Sequence, residues 1–273
     1  MAASDSPVVA FLHAHPDDEA IFTAGTMRRL ADAGATVALI VATRGELGEA
    51  GRHGAGSLAE HRAAETAEAA ALLGVSAVRF LGHADSGLHL AAAAPASFAR
   101  ADVEVAAAGL AEVLADLGAT TLVTYDDNGV YGHPDHVMVH RVGHTAARRL
   151  GLPTVYDATV DREYLHFVET HVVEQAHRAI DLLSGTFEGE PAPDEPAGLG
   201  LAGTPLGVPS VLVDLTVDVR GVLDVKRAAM AAHASQLPAD SPALSLAPEV
   251  FAEVYGFEWY VRTGPPGPLD DLA

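Results

Sequence analysis

The sequence contains no cysteine and only one lysine, Lys226, among its 273 residues. The absence of cysteine excludes disulfide bonds and thiolate ligands, so any metal must be bound through nitrogen or oxygen. No apolar run approaches the ~18–20 residues that a membrane-spanning helix needs, and the N-terminus lacks the basic start of a signal peptide. We therefore predict a cytoplasmic protein without membrane attachment.

Positive charge is scarce as well. Sixteen Lys and Arg residues stand against 37 Asp and Glu residues, which gives a formal net charge of −21. A field of this sign repels nucleic acid and anionic membranes, so we expect neither as a partner. Hydrophobic residues make up 49% of the chain, which is enough to bury a sizeable core. The composition is compatible with a homo-oligomer.

Short apolar segments alternate with segments of helical spacing over the first 160 residues. This alternation predicts a Rossmann-like α/β fold, with a mostly parallel sheet covered by helices on both faces. The predicted strands are 7–15, 35–45, 76–82, 120–125 and 153–160. The predicted helices are 17–34, 57–74, 98–118 and 134–151, and the second has a Ser-x-x-Glu capping box at Ser57 and Glu60.

We expect one domain over residues 1–273, with an α/β core at 6–160. Residues 161–262 would form a C-terminal part that packs on this core, with a strand at 211–219 and a helix at 222–237. A Pro- and Gly-rich segment at 184–210 predicts a long loop. Residues 263–273 resemble a frayed tail.

The tripeptide His-Pro-Asp occurs twice, in HAHPDDEA (13–20) and in YGHPDHVMVH (131–140). The first copy follows the first predicted strand, and the second follows the fourth. In open α/β sheets, ligands bind at the carboxyl ends of the strands. Proline after the histidine suits the first position of a helix. Two strand-to-helix turns could therefore converge on one ion.

The side chains of these turns suit a catalytic metal. We predict Zn²⁺ bound by His15, Asp18 and His136, because catalytic zinc takes three nitrogen or oxygen ligands and leaves one position open. Two histidines and a carboxylate also describe a non-haem Fe(II) triad, so Fe²⁺ is the alternative metal. Asp17 is placed to act as general base, and His133, oriented by Asp135, could face the oxyanion.

Other interpretations of these residues stay open. Asp17 and Asp18 could merely cap a helix, and the metal could stabilise a binding module that has no catalytic activity. His13 alternates with His15 along the strand and is expected to be packed or hydrogen-bonded there. His140 and His144 are expected on a helix face and not as ligands.

The pair AHPDDE and HPDH resembles the PIG-L/LmbE-like family of zinc-dependent N-deacetylases. The resemblance covers most of the chain through about residue 160, together with KRAAMAAHASQ near the end. TYDDNGVYGHPDH is especially similar to the mycothiol-pathway branch of that family. The resemblance implies the LmbE-like fold, zinc at His15, Asp18 and His136, and Asp17 as general base. It implies that His133, supported by Asp135, is either the oxyanion-side residue or the general acid.

Further roles come from this resemblance alone. It implies that Tyr131 polarises the substrate carbonyl, although Tyr131 could instead pack on the lip of the site. It implies sugar contacts for Glu46, Arg62 and Asp85. Arg62 could instead form a surface salt bridge with a neighbour such as Glu65, and Asp85 could form a turn. Lys226 and His233 match a late family motif, and we assign them no role.

The resemblance implies a zinc-dependent hydrolase that removes the acetyl group from an N-acetylglucosamine-type conjugate, a small-molecule substrate. Residues 184–210 match no part of the family, so we favour a general family deacetylase over a named mycothiol enzyme. The alternatives are an amidase acting on a mycothiol-like thiol conjugate and a non-haem Fe(II) enzyme.

Overall fold

A seven-stranded sheet runs through the computed structural model, which describes residues 6–48, 57–169 and 201–273. Its strands are β1 Val8–His13, β2 Thr36–Val41, β3 Ala77–Phe80, β4 Thr121–Tyr125, β5 Thr154–Thr159, β6 Leu215–Asp218 and β7 Phe257–Thr263. They lie in the order β3-β2-β1-β4-β5-β7-β6. The first five in this order are parallel, and β7 runs antiparallel to both β5 and β6. The predicted mostly parallel α/β fold is confirmed.

Strand β1 lies at the point where the order of the strands reverses. It pairs with β2 on one side and with β4 on the other. In open α/β sheets, the loops that leave such neighbouring strands diverge and open a crevice at their carboxyl ends. One His-Pro-Asp motif follows β1 and the other follows β4, which is paired with β1. The sheet topology therefore brings residues 118 positions apart to one crevice.

The helices are α1 Asp18–Phe22, α2 Ala24–Asp32, α3 Leu58–Leu73, α4 Val103–Leu117, α5 Gly129–Gly132, α6 Pro134–Leu150, α7 Arg162–Val168, α8 Leu223–Ala232, α9 Pro242–Ser245 and α10 Pro248–Tyr255. The predicted capping box of α3 at Ser57 and Glu60 is present. None of the described helices is long and apolar enough to cross a membrane.

The prediction of one helix over 17–34 is wrong, because the chain leaves helical geometry at Thr23. The backbone there has φ −139° and ψ 3°, and the Thr23 hydroxyl lies 2.9 Å from Nε2 of His13. This contact holds Thr23, where the helix is interrupted, against the last residue of β1. The consequence is a short α1 that begins at Asp18, directly at the crevice.

The C-terminal part differs most from the sequence prediction. Strand β7 and helix α10 were not predicted, and the strand expected at 211–219 begins only at Leu215. The frayed tail is wrong too, since Leu269 and Leu272 are buried and the Tyr156 hydroxyl donates a hydrogen bond to Asp270 at 2.5 Å. Of the predicted loop, 184–200 lies outside the described residues, whereas 201–203 and 210–212 form single 3₁₀ turns.

Candidate metal and catalytic site

Three predicted metal ligands meet at the carboxyl end of β1. Oδ2 of Asp18 lies 3.4 Å from Nδ1 of His15 and 3.3 Å from Nε2 of His136. His15 is in the turn after β1, Asp18 begins α1, and His136 is in the first turn of α6. All three side chains are buried. The two turns therefore bring two imidazoles and one carboxylate to a common centre.

The local backbone fixes Asp18 in this position. The backbone N–H of His15 donates to Oδ2 of Asp18 at 2.8 Å. Between them, Asp17 has φ 97°, a left-handed conformation that costs a non-glycine residue on the order of 1–3 kcal/mol. Strain of this kind persists where the surrounding structure imposes it, most often at functional sites. The backbone thus turns Asp17 and Asp18 toward different neighbours.

The carboxylate of Asp17 is paired with an arginine. Nη2 of Arg62 lies 3.2 Å from its Oδ2, and the same guanidinium donates to the carbonyl oxygens of Pro16 and Gly45. Burial raises the pKa of Asp17 to about 7; Arg62 opposes this rise, and Asp18 adds to it. A carboxyl with a pKa near neutrality can both accept and release a proton at physiological pH.

The expected contact between the Asp135 carboxylate and His133 is not formed. Asp135 follows Pro134 in the first turn of α6, and its carboxylate lies 3.2 Å from Nε2 of His15. It also accepts hydrogen bonds from the backbone and hydroxyl of Ser86. Asp135 therefore orients His15 through the ring nitrogen that does not face Asp18. Metal-binding histidines usually have such a carboxylate partner.

His133 caps the N-terminus of α6. Its Nδ1 accepts the backbone N–H of Asp135 at 3.1 Å, so in the neutral ring the proton must be on Nε2. Burial, followed by the nearby His15 and His136, lowers the pKa of His133 to about 4. At neutral pH, His133 is therefore an uncharged imidazole with one N–H available to donate.

Tyr131 lies over His136 at the mouth of the site. Its hydroxyl is 3.4 Å from Nε2 of His136, and its ring makes an edge contact with that imidazole at a centroid distance of 4.8 Å. Burial, with Asp18 and Asp17 as further causes, raises the pKa of the Tyr131 hydroxyl, so it remains protonated. The preceding Val130 has φ 65°, a second strained position next to the site.

The expected sugar-binding residues lie beside the same centre. Asp85 is buried, and its Oδ1 is 3.6 Å from Nε2 of His15. The same oxygen accepts the backbone N–H of Gly87, so the turn predicted as an alternative is also formed. Glu46 is exposed, and its Oε1 accepts the backbone N–H of Asp85. Contact of these carboxylates with sugar stays a prediction.

Arg62 is not on the surface, because it is only 4% exposed. The alternative salt bridge with Glu65 is wrong, since Glu65 instead accepts hydrogen bonds from Ser235. Helix α3 turns Arg62 inward toward the two loops that flank the site. Arg62 is therefore a buried residue of the site that pairs with Asp17.

These side chains open into one cavity of about 290 Å³. It is lined by His15, Asp17, Asp18, Leu47, Gly48, Arg62, Asp85, Gly87, Leu88, Tyr131, His133 and Gln236. Its walls combine apolar and polar groups, as is typical of small-molecule sites. Two of the three predicted metal ligands, His15 and Asp18, thus line the cavity together with the predicted base Asp17, whereas His136 is not part of its lining.

The donor chemistry of the centre fits a divalent cation. The carboxylates of Asp18, Asp85 and Asp135 surround His15 in a buried environment, which is costly unless positive charge is present. The imidazoles of His136 and His15 hold the pKa of Asp18 well below its usual range, so it is ionised. Two imidazoles and one carboxylate form the ligand set of many catalytic zinc sites.

Sequence reasoning missed the residues that support the site. Ser86, which fixes Asp135, gave no signal beyond its place in a turn. Glu19 is fully buried and its Oε1 lies 2.6 Å from Nε2 of His233, while its Oε2 accepts the backbone N–H of Asp17. His233 was noted only for its spacing from Lys226. The predicted packing of His13 is confirmed, with Nδ1 at 2.7 Å from the Tyr125 hydroxyl.

Comparison with known proteins adds to this geometry. The family model PIG-L, described as GlcNAc-PI de-N-acetylase, matches residues 10–147. A 1D-myo-inositol 2-acetamido-2-deoxy-alpha-D-glucopyranoside deacetylase from Salinispora arenicola is 37% identical over 285 residues, which cover 96% of this chain and 89% of the relative.

Solved structures share the fold at lower identity. The N,N'-diacetylchitobiose deacetylase of Pyrococcus horikoshii has a TM-score of 0.57 at 21% identity, with 95% of this chain and 84% of that chain covered. The 4-carboxy-2-hydroxymuconate hydratase of Pseudomonas putida KT2440 has a TM-score of 0.58 at 17% identity, covering 96% and 98%. The shared fold alone therefore does not fix the reaction.

Proposed function

This chain belongs to the PIG-L family, and from that premise we propose that it is a metal-dependent N-deacetylase. Its substrate would be the acetamide of an N-acetylglucosamine-type conjugate, and its products would be acetate and a free amine. The observation that carries this proposal is the meeting of Asp18 with His15 and His136 at 3.4 and 3.3 Å beside a partly buried Asp17. Asp17 would protonate the leaving amine, a step that a hydratase does not need.

We propose that His15, Asp18 and His136 hold the cation, with Zn²⁺ as the first candidate and Fe²⁺ as the alternative. Such a cation would supply Lewis-acid polarisation and acidify a water at neutral pH. Asp135 would keep His15 oriented through their 3.2 Å contact. Metal-dependent turnover is accordingly expected to stop when a chelator removes the ion.

Asp17 would accept the proton from the attacking water and later deliver it to the leaving amine. Burial raises the pKa of Asp17, which suits a carboxyl that must take up a proton and release it again. Arg62 would hold the carboxylate in place from one side and Glu19 would hold its backbone N–H from the other. Both neighbours are themselves buried, which limits the motion of Asp17.

His133 would donate its Nε2 hydrogen to the oxyanion that develops on the acetamide oxygen. Its Nδ1 is occupied by the N–H of Asp135, and its pKa is lowered to about 4, so it carries no spare proton. We therefore assign the proton for the leaving amine to Asp17 and not to His133. Tyr131 would polarise the same carbonyl with its protonated hydroxyl.

The sugar would occupy the cavity between Asp85 and Leu88. The Asp85 oxygens accept the backbone N–H groups of Leu47 and Gly87, but a carboxylate retains further acceptor sites for sugar hydroxyls. The similarity to a GlcNAc-inositol deacetylase makes that conjugate the first substrate to test. The cytoplasmic location and a homo-oligomer stay predictions from the sequence.

The test is release of free amine and acetate from a panel of N-acetylglucosaminyl conjugates, with and without a chelator. Release of amine and acetate from the inositol conjugate or from chitobiose derivatives would indicate a deacetylase. Cleavage of a thiol conjugate at its amide would indicate an amidase. Asp17→Asn should abolish turnover while the protein retains its metal. Metal analysis together with an oxygen-uptake assay tests whether the protein is instead an Fe(II) oxygenase. Absence of amine release across the panel by the metal-loaded protein would contradict the proposal.

A further inference from the structure

A second set of metal-ligand side chains lies on α6 and β5. His140 and His144 are four residues apart on α6, and Asp157 is on β5; we call these three residues the His140 cluster. Nε2 of His144 lies 2.7 Å from Oδ1 of Asp157, and Nδ1 of His140 lies 3.9 Å from the same oxygen. One ligand atom from each residue lies within 4.8 Å of the others.

The spacing of the two histidines suits a metal. Residues at i and i+4 share one helix face, and zinc-binding helices of the H-E-x-x-H type use this spacing for two imidazole ligands. The rings of His140 and His144 have a centroid separation of 4.4 Å. Ligand atoms bound to one tetrahedral zinc ion lie roughly 3.3 Å from one another, so a small side-chain rotation would bring Nε2 of His144 and Oδ1 of Asp157, now 2.7 Å apart, to that spacing.

The hydrogen bonds of His140 select the nitrogen that can bind. Nδ1 of His140 lies 2.8 Å from the carbonyl oxygen of Tyr125, an atom that can only accept a hydrogen bond. Nδ1 therefore carries the proton, and the lone pair is on Nε2. Metal-binding histidines typically donate their other ring N–H to a backbone carbonyl or a carboxylate in this manner.

The surroundings favour a cation and admit one from solvent. The cluster borders a cavity of about 560 Å³ that Asp126, Asp127 and Asp214 also line, and no lysine or arginine of the described residues lines it. The side chains of His140 and His144 are 22% and 17% exposed. The carboxyl of Asp126 is occupied by Thr159 and by the backbone N–H of Val130, so we do not count it as a ligand.

We propose that the His140 cluster is a second binding site for a divalent transition metal of the Zn²⁺ class, with two imidazoles, one carboxylate and water as ligands. His140 and His144 follow His136 by four and eight residues, about 6 and 12 Å along a helix that rises 1.5 Å per residue, and the two clusters share no ligand. The second site is therefore distinct from the His15 centre. It does not depend on the proposed deacetylase activity.

The test is the Zn²⁺ stoichiometry of the full chain, measured by equilibrium dialysis and elemental analysis. We expect His144→Ala and Asp157→Asn each to bind one Zn²⁺ fewer than the unaltered protein. His15→Ala should lose a different ion, and the double variant H15A/H144A should lose both. The matched control is His61→Ala, because His61 and Glu65 form an i, i+4 pair that has only one histidine; its stoichiometry should be unchanged.

Equal stoichiometry for the unaltered protein, H144A and D157N would overturn the proposal. Because Asp157 is buried in β5, a second measurement avoids any folding defect of the variant. Crystals of the unaltered protein soaked in Zn²⁺ should give an anomalous peak between His140, His144 and Asp157. A dataset with a peak at His15 alone would overturn the second site and leave the deacetylase proposal intact.

Discussion

Nε2 of His15 lies 3.2 Å from the Asp135 carboxylate, while Nδ1 of the same ring faces Asp18 at 3.4 Å. The two contacts use both ring nitrogens, so the orientation of His15 is fixed from two sides. The residue that orients this imidazole comes from the second His-Pro-Asp motif, whereas the imidazole itself comes from the first. The first motif therefore depends on the second for the orientation of its imidazole.

The first prediction concerns Asp135→Asn. The variant keeps the size of the side chain but removes the charge that orients His15, so we expect metal affinity to fall by roughly 10–100-fold. Competition with a chelator of known affinity measures this directly. Ser86→Ala removes only a hydrogen bond to Asp135 and should weaken binding less. An affinity equal to that of the unaltered protein would show that His15 needs no orienting partner.

The second prediction separates two roles of His133. Asn is a good N-cap, so His133→Asn should preserve the start of α6 while kcat falls by about 10²–10³-fold through loss of an oxyanion donor. His133→Ala loses the cap as well and should cost about 1 kcal/mol of stability in addition. Steady-state kinetics and urea unfolding measure the two effects. A His133→Asn variant with normal kcat would remove His133 from the mechanism.

The third prediction links Asp17 to stability. Its pKa in the folded protein is about 7, above the 3.8 of an unperturbed carboxyl, so the folded state holds this proton more tightly than the unfolded state. This group therefore makes the unaltered protein less stable as pH rises from about 4 to 7. Asp17→Asn cannot titrate, so its Tm in the metal-free state should exceed that of the unaltered protein by more at pH 8 than at pH 5. A Tm difference between the variant and the unaltered protein that becomes smaller as the pH rises would contradict this prediction.

The fourth prediction concerns Arg62. Its positive charge lowers the pKa of Asp17, although burial outweighs this effect. Arg62→Met should therefore shift the acidic limb of the kcat/KM profile to higher pH by about one unit or more. Arg62→Lys keeps the charge and should shift the limb less. A limb at the same pH in all three proteins would exclude Arg62 as the partner that sets the Asp17 pKa.

The fifth prediction concerns the single lysine. Lys226 and Glu258 form a fully buried ion pair at 2.6 Å, and the Glu258 carboxylate also accepts the backbone N–H groups of Gly25 and Thr26 at the start of α2. Lys226→Met would leave Glu258 without its countercharge and should cost about 3–5 kcal/mol.

The control is Arg28→Met, which breaks the exposed pair with Asp32. Exposed pairs of this kind are worth at most about 1 kcal/mol, so its unfolding free energy should change little. Denaturant unfolding of the metal-loaded protein compares both variants. Similar losses for the two would show that burial of Lys226 adds nothing to its pairing.

The sequence by itself determined the order of elements in the first 160 residues, because buried parallel strands and capped helices leave local patterns. It also identified His15, Asp18 and His136 as a group, since repeated tripeptides at the ends of strands are a local signal. It did not locate the partner of Asp135, the burial of Arg62 or the clustering of Asp157 with His140 and His144. These depend on which strands are neighbours and on which way a side chain turns.

Tertiary structure alone decided strand β7 and the packing of the C-terminal tail, whereas the sequence had predicted a strand at 211–219 and a helix at 222–237. Strand β7 pairs antiparallel with both β5 and β6, so which of its side chains are buried depends on these two neighbours. The tail is rich in Pro and Gly, which locally favours fraying, yet Leu269 and Leu272 are buried against the rest of the chain. Local propensity is worth at most about 0.7 kcal/mol for an ordinary residue, whereas burying a leucine side chain contributes about 1.5–3 kcal/mol, so burial of Leu269 and Leu272 can hold the tail in place.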